Sequence, residues 1–152
     1  MSSPPGSEAP DKLCCALPYR LRADHVEILL ITDRAGRWIL PKGHMRPTEA
    51  PFQAAEREAW EEAGVKGSID MLPIGGFDHT GEAGTVHILV YPLGVAEEAA
   101  AWPESDRRRR RWARAEEVAR LVSRDLAPLV EEFAADTDAM LGDGADKGFD
   151  RN

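Results

Sequence analysis

Between Gly43 and Val65 the chain reads GHMRPTEAPFQAAEREAWEEAGV, and no other stretch limits the possible folds as tightly. Glu58, Glu61 and Glu62 stand at i, i+3 and i+4, so on a helix their side chains project within an arc of about 100°. Like charges placed this way repel, weakening a helix by roughly 0.2–0.5 kcal/mol per pair. Two arrangements relieve the repulsion. One is a fully solvated acidic face; the other is a hard cation, because Mg²⁺ favours carboxylate oxygens and is commonly shared between a few protein acids and substrate phosphates.

The flanking residues define a loop, a helix and a second loop. Leu40-Pro41-Lys42-Gly43 ends an expected strand, and Gly43 lets the backbone approach a ligand or metal closely. Thr48 is the expected N-cap, with Pro51 tolerated in the first turn, which starts the helix near Thr48. Phe52, Ala55, Ala59 and Ala63 recur at helical spacing beside the acids, a narrow apolar stripe suited to close packing on a sheet. Gly64 is placed to take the left-handed conformation that closes many helices.

This pattern resembles the signature of the Nudix hydrolases. Gly43, Glu49, Arg57-Glu58, Ala59, Glu61-Glu62, Gly64 and Val65 fill its fixed positions, with Ala59 smaller than the usual aliphatic residue. The resemblance implies an α/β/α sandwich with a mixed β-sheet, hydrolysis of a diphosphate linkage, and Mg²⁺ or Mn²⁺ as cofactor. It makes Glu58 and Glu62 metal ligands with the Gly43 carbonyl, and Glu61 the general base or a bridging ligand. The chemistry is coherent, since a metal neutralises diphosphate charge and lowers the pKa of bound water while a carboxylate accepts its proton. Arg57, four residues before Glu61, is expected to orient it. Glu49 either complements the helix N-terminus or supports the site from behind.

A chain of 152 residues with 43% hydrophobic content suits one domain, expected over residues 12–135. The polar segments 1–11 and 136–152 read as a disordered N-terminal tail and a disordered acidic C-terminal tail. No apolar run approaches the length of a membrane span, so the expectation is a cytoplasmic protein without membrane association. Cys14 and Cys15, being adjacent, point to opposite sides of an expected strand and read as reduced thiols. The formal net charge of −8 argues against general nucleic-acid binding. Much of it lies in the two tails, so a phosphate substrate is not excluded.

Strands are expected at Leu13 to Arg20, Val26 to Ile31, Arg37 to Leu40, Lys66 to Ile74, Gly75 to Thr80 and Val86 to Tyr91. A helix begins near Ala115, and Leu126, Leu129, Val130 and Phe133 form a second apolar stripe. Arg107 to Arg111 precede Trp112. If this run is a strand, Arg108, Arg110 and Trp112 share one side and Arg107, Arg109 and Arg111 the other, so one set could face a polyanion; the alternative is a charged edge strand.

The stretch from Trp38 through Lys66-Gly67, with Arg107 to Trp112 ahead of the helix near Ala115, looks like the diphosphoinositol polyphosphate phosphohydrolase branch of the family. Pro41-Lys42-Gly43-His44 departs from the glycine-rich run usual there and also suits dinucleoside polyphosphate hydrolases. By that analogy Arg34, Lys42, Arg46, Arg107 and Arg109 are phosphate contacts. The expected partner is a polyphosphorylated small molecule, and the chain is expected to be a monomer or homodimer. Two other activities stand beside this one: pyrophosphate removal from nucleoside triphosphates or RNA 5′ ends, and a non-catalytic nucleotide sensor. Trp102, beside Pro103, is the tryptophan best placed to stack on a base.

Overall fold

Two near-continuous apolar runs organise the chain around two central strands. The computed structural model describes residues 13–150, with side chains through residue 142. Strand β1 (Leu13–Leu21) and strand β2 (Val26–Thr32) are buried on both faces, as expected of strands covered by helices above and below. Cys14 and Ala16 of β1, with Leu29 and Ile31 of β2, enter one core; Cys15 and Leu17, with Ile28 and Leu30, enter the other. The two adjacent cysteines therefore do face opposite layers.

Around this pair the chain adds β3 (Trp38–Ile39), β4 (Lys42–His44), β5 (Val65–Ile69), β6 (Gly75–Gly81), β7 (Gly84–Glu98) and β8 (Arg110–Arg114). All eight strands belong to one sheet, with the central order β3-β2-β1-β7-β5. The β1–β7 pair is parallel, with Cys14 opposite Leu89 and Tyr19 opposite Gly94, and the other pairings are antiparallel, so the sheet is mixed. Helix α1 (Pro51–Glu58) continues into a π-turn (Ala59–Ala63) and covers the first core through Ala54, Ala55, Ala59 and Ala63. Helices α2 (Ala115–Leu121) and α3 (Ala127–Asp150) cover the second through Val118, Leu126 and Val130. The expected α/β/α sandwich is the observed one.

Several boundaries differ from expectation; strand β7, expected over Val86 to Tyr91, runs from Gly84 to Glu98. Helix α1 starts at Pro51 behind an extended Ala50, not at Thr48, because proline is preorganised for the first helical position and the Gln53 side chain reaches back to accept the Ala50 amide at 2.8 Å. The strand expected to run from Lys66 to Ile74 stops at Ile69. At the C-terminal end α3 continues past Ala135, through residues expected to be a disordered tail, and Asp138 Oδ1 accepts the Val26 amide at 3.0 Å. The expected N-terminal tail, residues 1–11, lies outside the described residues. Among the described residues no helix is long and apolar enough to cross a membrane.

Candidate active site

The short strand β4 lies along β1, with Gly43 opposite Cys14, and delivers its backbone directly to the α1 face. The approach is so close that a Cβ built on Gly43 would stand 2.0 Å from Glu58 Oε2. No side chain fits between that strand and that carboxylate without moving it. The absence of a side chain, expected here to permit close approach, is used against Glu58 itself.

Glu58 and Glu62 are buried, at 8% and 7% exposure, on the same side of the helix, whereas Glu61 stays partly open to solvent. Burial and the neighbouring Glu58 carboxyl both push the Glu62 carboxyl well above the usual carboxylate range, and Arg108 pulls against them. The Glu62 Oε1 atom accepts the Lys42 amide at 3.2 Å, and Arg108 Nη2 stands 3.6 Å from Oε2. The repulsion expected among the three acids is thus concentrated in one buried pair. A divalent cation against these oxygens would let both acids ionise.

Arg57 organises the outer side of the same face. Its Nε donates to Glu49 at 2.6 Å and its Nη2 to the other Glu49 oxygen at 2.9 Å, a two-pronged pairing that fixes the plane of the guanidinium. Nη2 also donates to the His44 carbonyl at 3.0 Å, and Nη1 donates to Glu58 at 2.8 Å and to Glu61 at 3.5 Å. Hydrogen bonding to Arg57 holds the Glu49 carboxyl down to about 2, although partial burial opposes this. Glu49 therefore pairs with Arg57, the position that the second of its two expected roles requires. Arg57 contacts Glu61 as expected but holds Glu58 more closely. Arg46 reaches the other side of Glu61, Nη2 to Oε2 at 3.8 Å.

The residues expected to contact phosphate fall into two groups. Lys42 and Arg46 flank the acidic face. Lys42 also lines a cavity of about 390 Å³ with Trp38, Leu40, Phe77, His79 and Leu126. Arg34, Arg107 and Arg109 meet elsewhere, in a shallow cleft at the end of β2 that also contains Arg108. From Arg108 onward the arginine run obeys the expected alternation: Arg109 and Arg111 lie toward Trp38, while Arg108, Arg110 and Trp112 face the layer of α1. Arg107, expected with Arg109 and Arg111, instead lies in a turn before the strand and pairs with Glu104, as Arg108 does. It also pairs with β2, which accounts for one edge of the sheet.

Two residues close to the face were not singled out in the sequence for the positions they hold. Arg108 bridges Glu62 and Glu104 and donates to the Thr32 carbonyl at 2.8 Å; the alternation placed it on the correct side but not against an acid. Trp102, expected as a platform for a base, instead packs on Gly64 beneath Arg110, with its indole N–H donating to the Glu62 carbonyl at 2.9 Å. Among the described residues no three His, Cys, Asp or Glu side chains converge into a complete metal cage. Two buried carboxylates beside an open backbone strand suit the sparser demand of Mg²⁺, which usually keeps waters and takes further ligands from substrate phosphates.

A mixed sheet between helices, with a glutamate-bearing helix gripped by an arginine against a glycine strand, defines a fold and site built for phosphoanhydride hydrolysis. The NUDIX domain family matches residues 17–133, and the chain belongs to that family, whose members are hydrolases that generally use divalent metal ions. Nudix hydrolase 13, mitochondrial, of Arabidopsis thaliana is 30% identical over 141 residues, covering 77% of this chain and 70% of that protein. Diphosphoinositol polyphosphate phosphohydrolase 3-alpha of Homo sapiens is 36% identical over 103 residues, covering 66% of this chain and 62% of that protein. Among solved structures, a C. elegans Ap4A hydrolase binary complex superposes with a TM-score of 0.68 at 22% identity, covering 85% of this chain and 98% of that one, a likeness of fold.

Proposed function

We propose that this chain is a Mg²⁺-dependent pyrophosphohydrolase that cleaves a diphosphate linkage in a polyphosphorylated small molecule. The observation that carries the reading is the acid arrangement: Glu58 and Glu62 buried together against the Gly43 strand, and Glu61 more open beside them. Glu58, Glu62 and the Gly43 carbonyl would hold Mg²⁺, or Mn²⁺ in its place. When bound, the metal neutralises diphosphate charge and makes a water molecule acidic. Glu61 then serves as the base that accepts the proton, because it alone of the three is open enough to meet a water. Arg57 fixes the rotamers of Glu58 and Glu61 through one guanidinium nitrogen, and its pairing with Glu49 keeps that nitrogen in place.

The cavity beside Lys42 favours a nucleotide end on the substrate. Trp38, Leu40, Phe77 and Leu126 give it apolar walls, with Lys42 and Arg37 as its cations. Such a lining accepts a base and ribose more readily than a ring bearing a phosphate on each carbon. A dinucleoside polyphosphate would place one nucleoside there and run its phosphates past Lys42 and Arg46 to the acidic face. A diphosphoinositol polyphosphate is the second reading, favoured by the cleft of Arg34, Arg107, Arg108 and Arg109 and supported by the relatives named for that substrate. The cytoplasmic placement belongs to the same proposal; several relatives carry "mitochondrial" in their names, and a fluorescent fusion decides between the compartments.

Chromatographic separation of nucleotide, pyrophosphate and phosphate products, with and without Mg²⁺, on diadenosine polyphosphates, a diphosphoinositol phosphate and an oxidised nucleoside triphosphate tests the reading. Metal-dependent turnover that falls at least about 10²-fold in Glu61→Gln is expected, in the range of lost acid–base catalysis. Nucleotide binding without turnover on any of them would replace the hydrolase with a sensor.

A further inference from the structure

The π-turn that carries Glu61 and Glu62 ends the helix with its carbonyls open, since the last turn of a helix has no partners of its own for them. Four successive carbonyls there are taken by one downstream segment. Glu104 N donates to Glu61 O at 3.1 Å, Trp102 Nε1 to Glu62 O at 2.9 Å, Arg110 Nη1 to Ala63 O at 3.0 Å and Ala99 N to Gly64 O at 2.9 Å. Of these donors only Trp102 and Arg110 act through side chains, and they are stacked, with the guanidinium 3.8 Å from the ring centre. The indole in turn lies on Gly64, whose φ of +69° and missing side chain admit it: a Cβ there would stand 2.7 Å from the indole Cγ.

Resting on the metal-dependent reading above, we infer that Trp102 and Arg110 are positioning residues for the acidic face, a clamp on the Glu62 and Ala63 carbonyls that sets where Glu61 and Glu62 project. Neither touches a carboxylate of that face in the manner of Arg57. They act on the backbone beneath it, at a π-turn, a local departure from α-helical register that is rare and frequent at functional sites. Loosening the clamp lets this turn relax toward regular α-helical spacing and rotates Glu62 away from Glu58. The consequence is felt in metal affinity and in the chemical step, not in substrate binding.

The test uses the full chain. Trp102→Phe keeps an aromatic ring on Gly64 and under Arg110 while removing the indole N–H with part of the ring area; Arg110→Gln removes the guanidinium while leaving Trp102. Mn²⁺ binding is read by electron paramagnetic resonance without substrate, kcat and KM by Mg²⁺-dependent cleavage of a diadenosine polyphosphate or diphosphoinositol phosphate with the products resolved by chromatography, and stability by thermal unfolding, with Glu62→Gln alongside. Each clamp variant is expected to raise the Mn²⁺ Kd about tenfold and lower kcat about as much with KM within twofold, as for other residues that orient metal ligands from behind. A lowered Tm with unchanged Mn²⁺ affinity and kcat would make the pair ordinary packing and overturn the inference. If Glu62→Gln binds Mn²⁺ as tightly as the wild type, the metal-face reading fails and takes the clamp with it. If Glu62→Gln loses the ion while both clamp variants keep it, the clamp alone fails.

Discussion

Substituting Gly43 by alanine isolates the contact between β4 and the acidic face. The added Cβ would stand 2.0 Å from Glu58 Oε2, 2.3 Å from its Cδ and 2.8 Å from its Cγ. Restoring ordinary contact distances requires the carboxylate to withdraw by about 1.5 Å. The atoms struck are the end of a flexible side chain, so folding is little affected: the expected cost is about 1 kcal/mol, a Tm lowered by about 3 °C for a chain of this size. The site is affected far more. A withdrawn Glu58 loses its 2.8 Å bond to Arg57 and leaves Glu62 without its neighbour, and a displacement of about 1 Å among catalytic groups costs on the order of 10²-fold in rate. The assay is kcat for Mg²⁺-dependent substrate cleavage, with the products resolved by chromatography, over a full metal titration, with thermal unfolding on the same samples. Gly81→Ala is the control, because a Cβ there meets nothing within 4 Å, and it is expected to behave as wild type in both measurements. A Gly43→Ala enzyme within threefold of wild-type kcat at saturating Mg²⁺ would refute the role given to this contact.

Two further perturbations address the support of the site and the end of the fold. Glu49 is held down to about 2 by Arg57, so its folded-state pKa is depressed and its contribution to stability is full above about pH 4.5 and lost as the pH falls toward 2. Glu49→Gln should therefore be less stable than wild type by about 1 to 2 kcal/mol at neutral pH, with the gap closing across that acid window in chemical denaturation; a gap independent of pH would assign the loss to shape instead of charge. Asp138→Ala removes the acceptor of the Val26 amide and should cost about 1 kcal/mol. An unchanged denaturation midpoint would mean that this turn of α3 adds nothing to the docking of the helix.

What could be read from the sequence followed from local periodicity. The α1 stripe of Ala55, Ala59 and Ala63, the closing Gly64 and the opposed cysteines each depend on spacing along one element, and each is found where the spacing put it. From Arg108 onward the side-to-side division of the arginine run held for the same reason. What was not legible depends on segments distant in sequence. Thr48 looked like a cap because it is a good capping residue, but Pro51 and Gln53 set the start without it. Trp102 looked free to stack on a base because nothing nearby in sequence reveals that the carbonyls forty residues earlier need donors. The π-turn itself has no compositional mark. Arg108 was hidden among four identical neighbours, and only the arrival of β8 against β2 selects it as the partner of Glu62.

The parallel pairing of β1 with β7 sets an order of events for a chain leaving the ribosome. Cys14 to Tyr19 emerge first, and their partners Leu89 to Gly94 emerge only after the acidic helix has been made. The layer on which Ala55, Ala59 and Ala63 rest includes Tyr91 and Leu93 from that late strand. The acidic helix is therefore synthesised before its seat is complete, and a long loop must close before Tyr91 and Leu93 join Cys14, Ala16, Leu29 and Ile31 beneath it. Until Gly94 is out, the three glutamates ride on a segment with half a surface to hold it, and the hydrolytic site is among the last parts of the molecule to take shape.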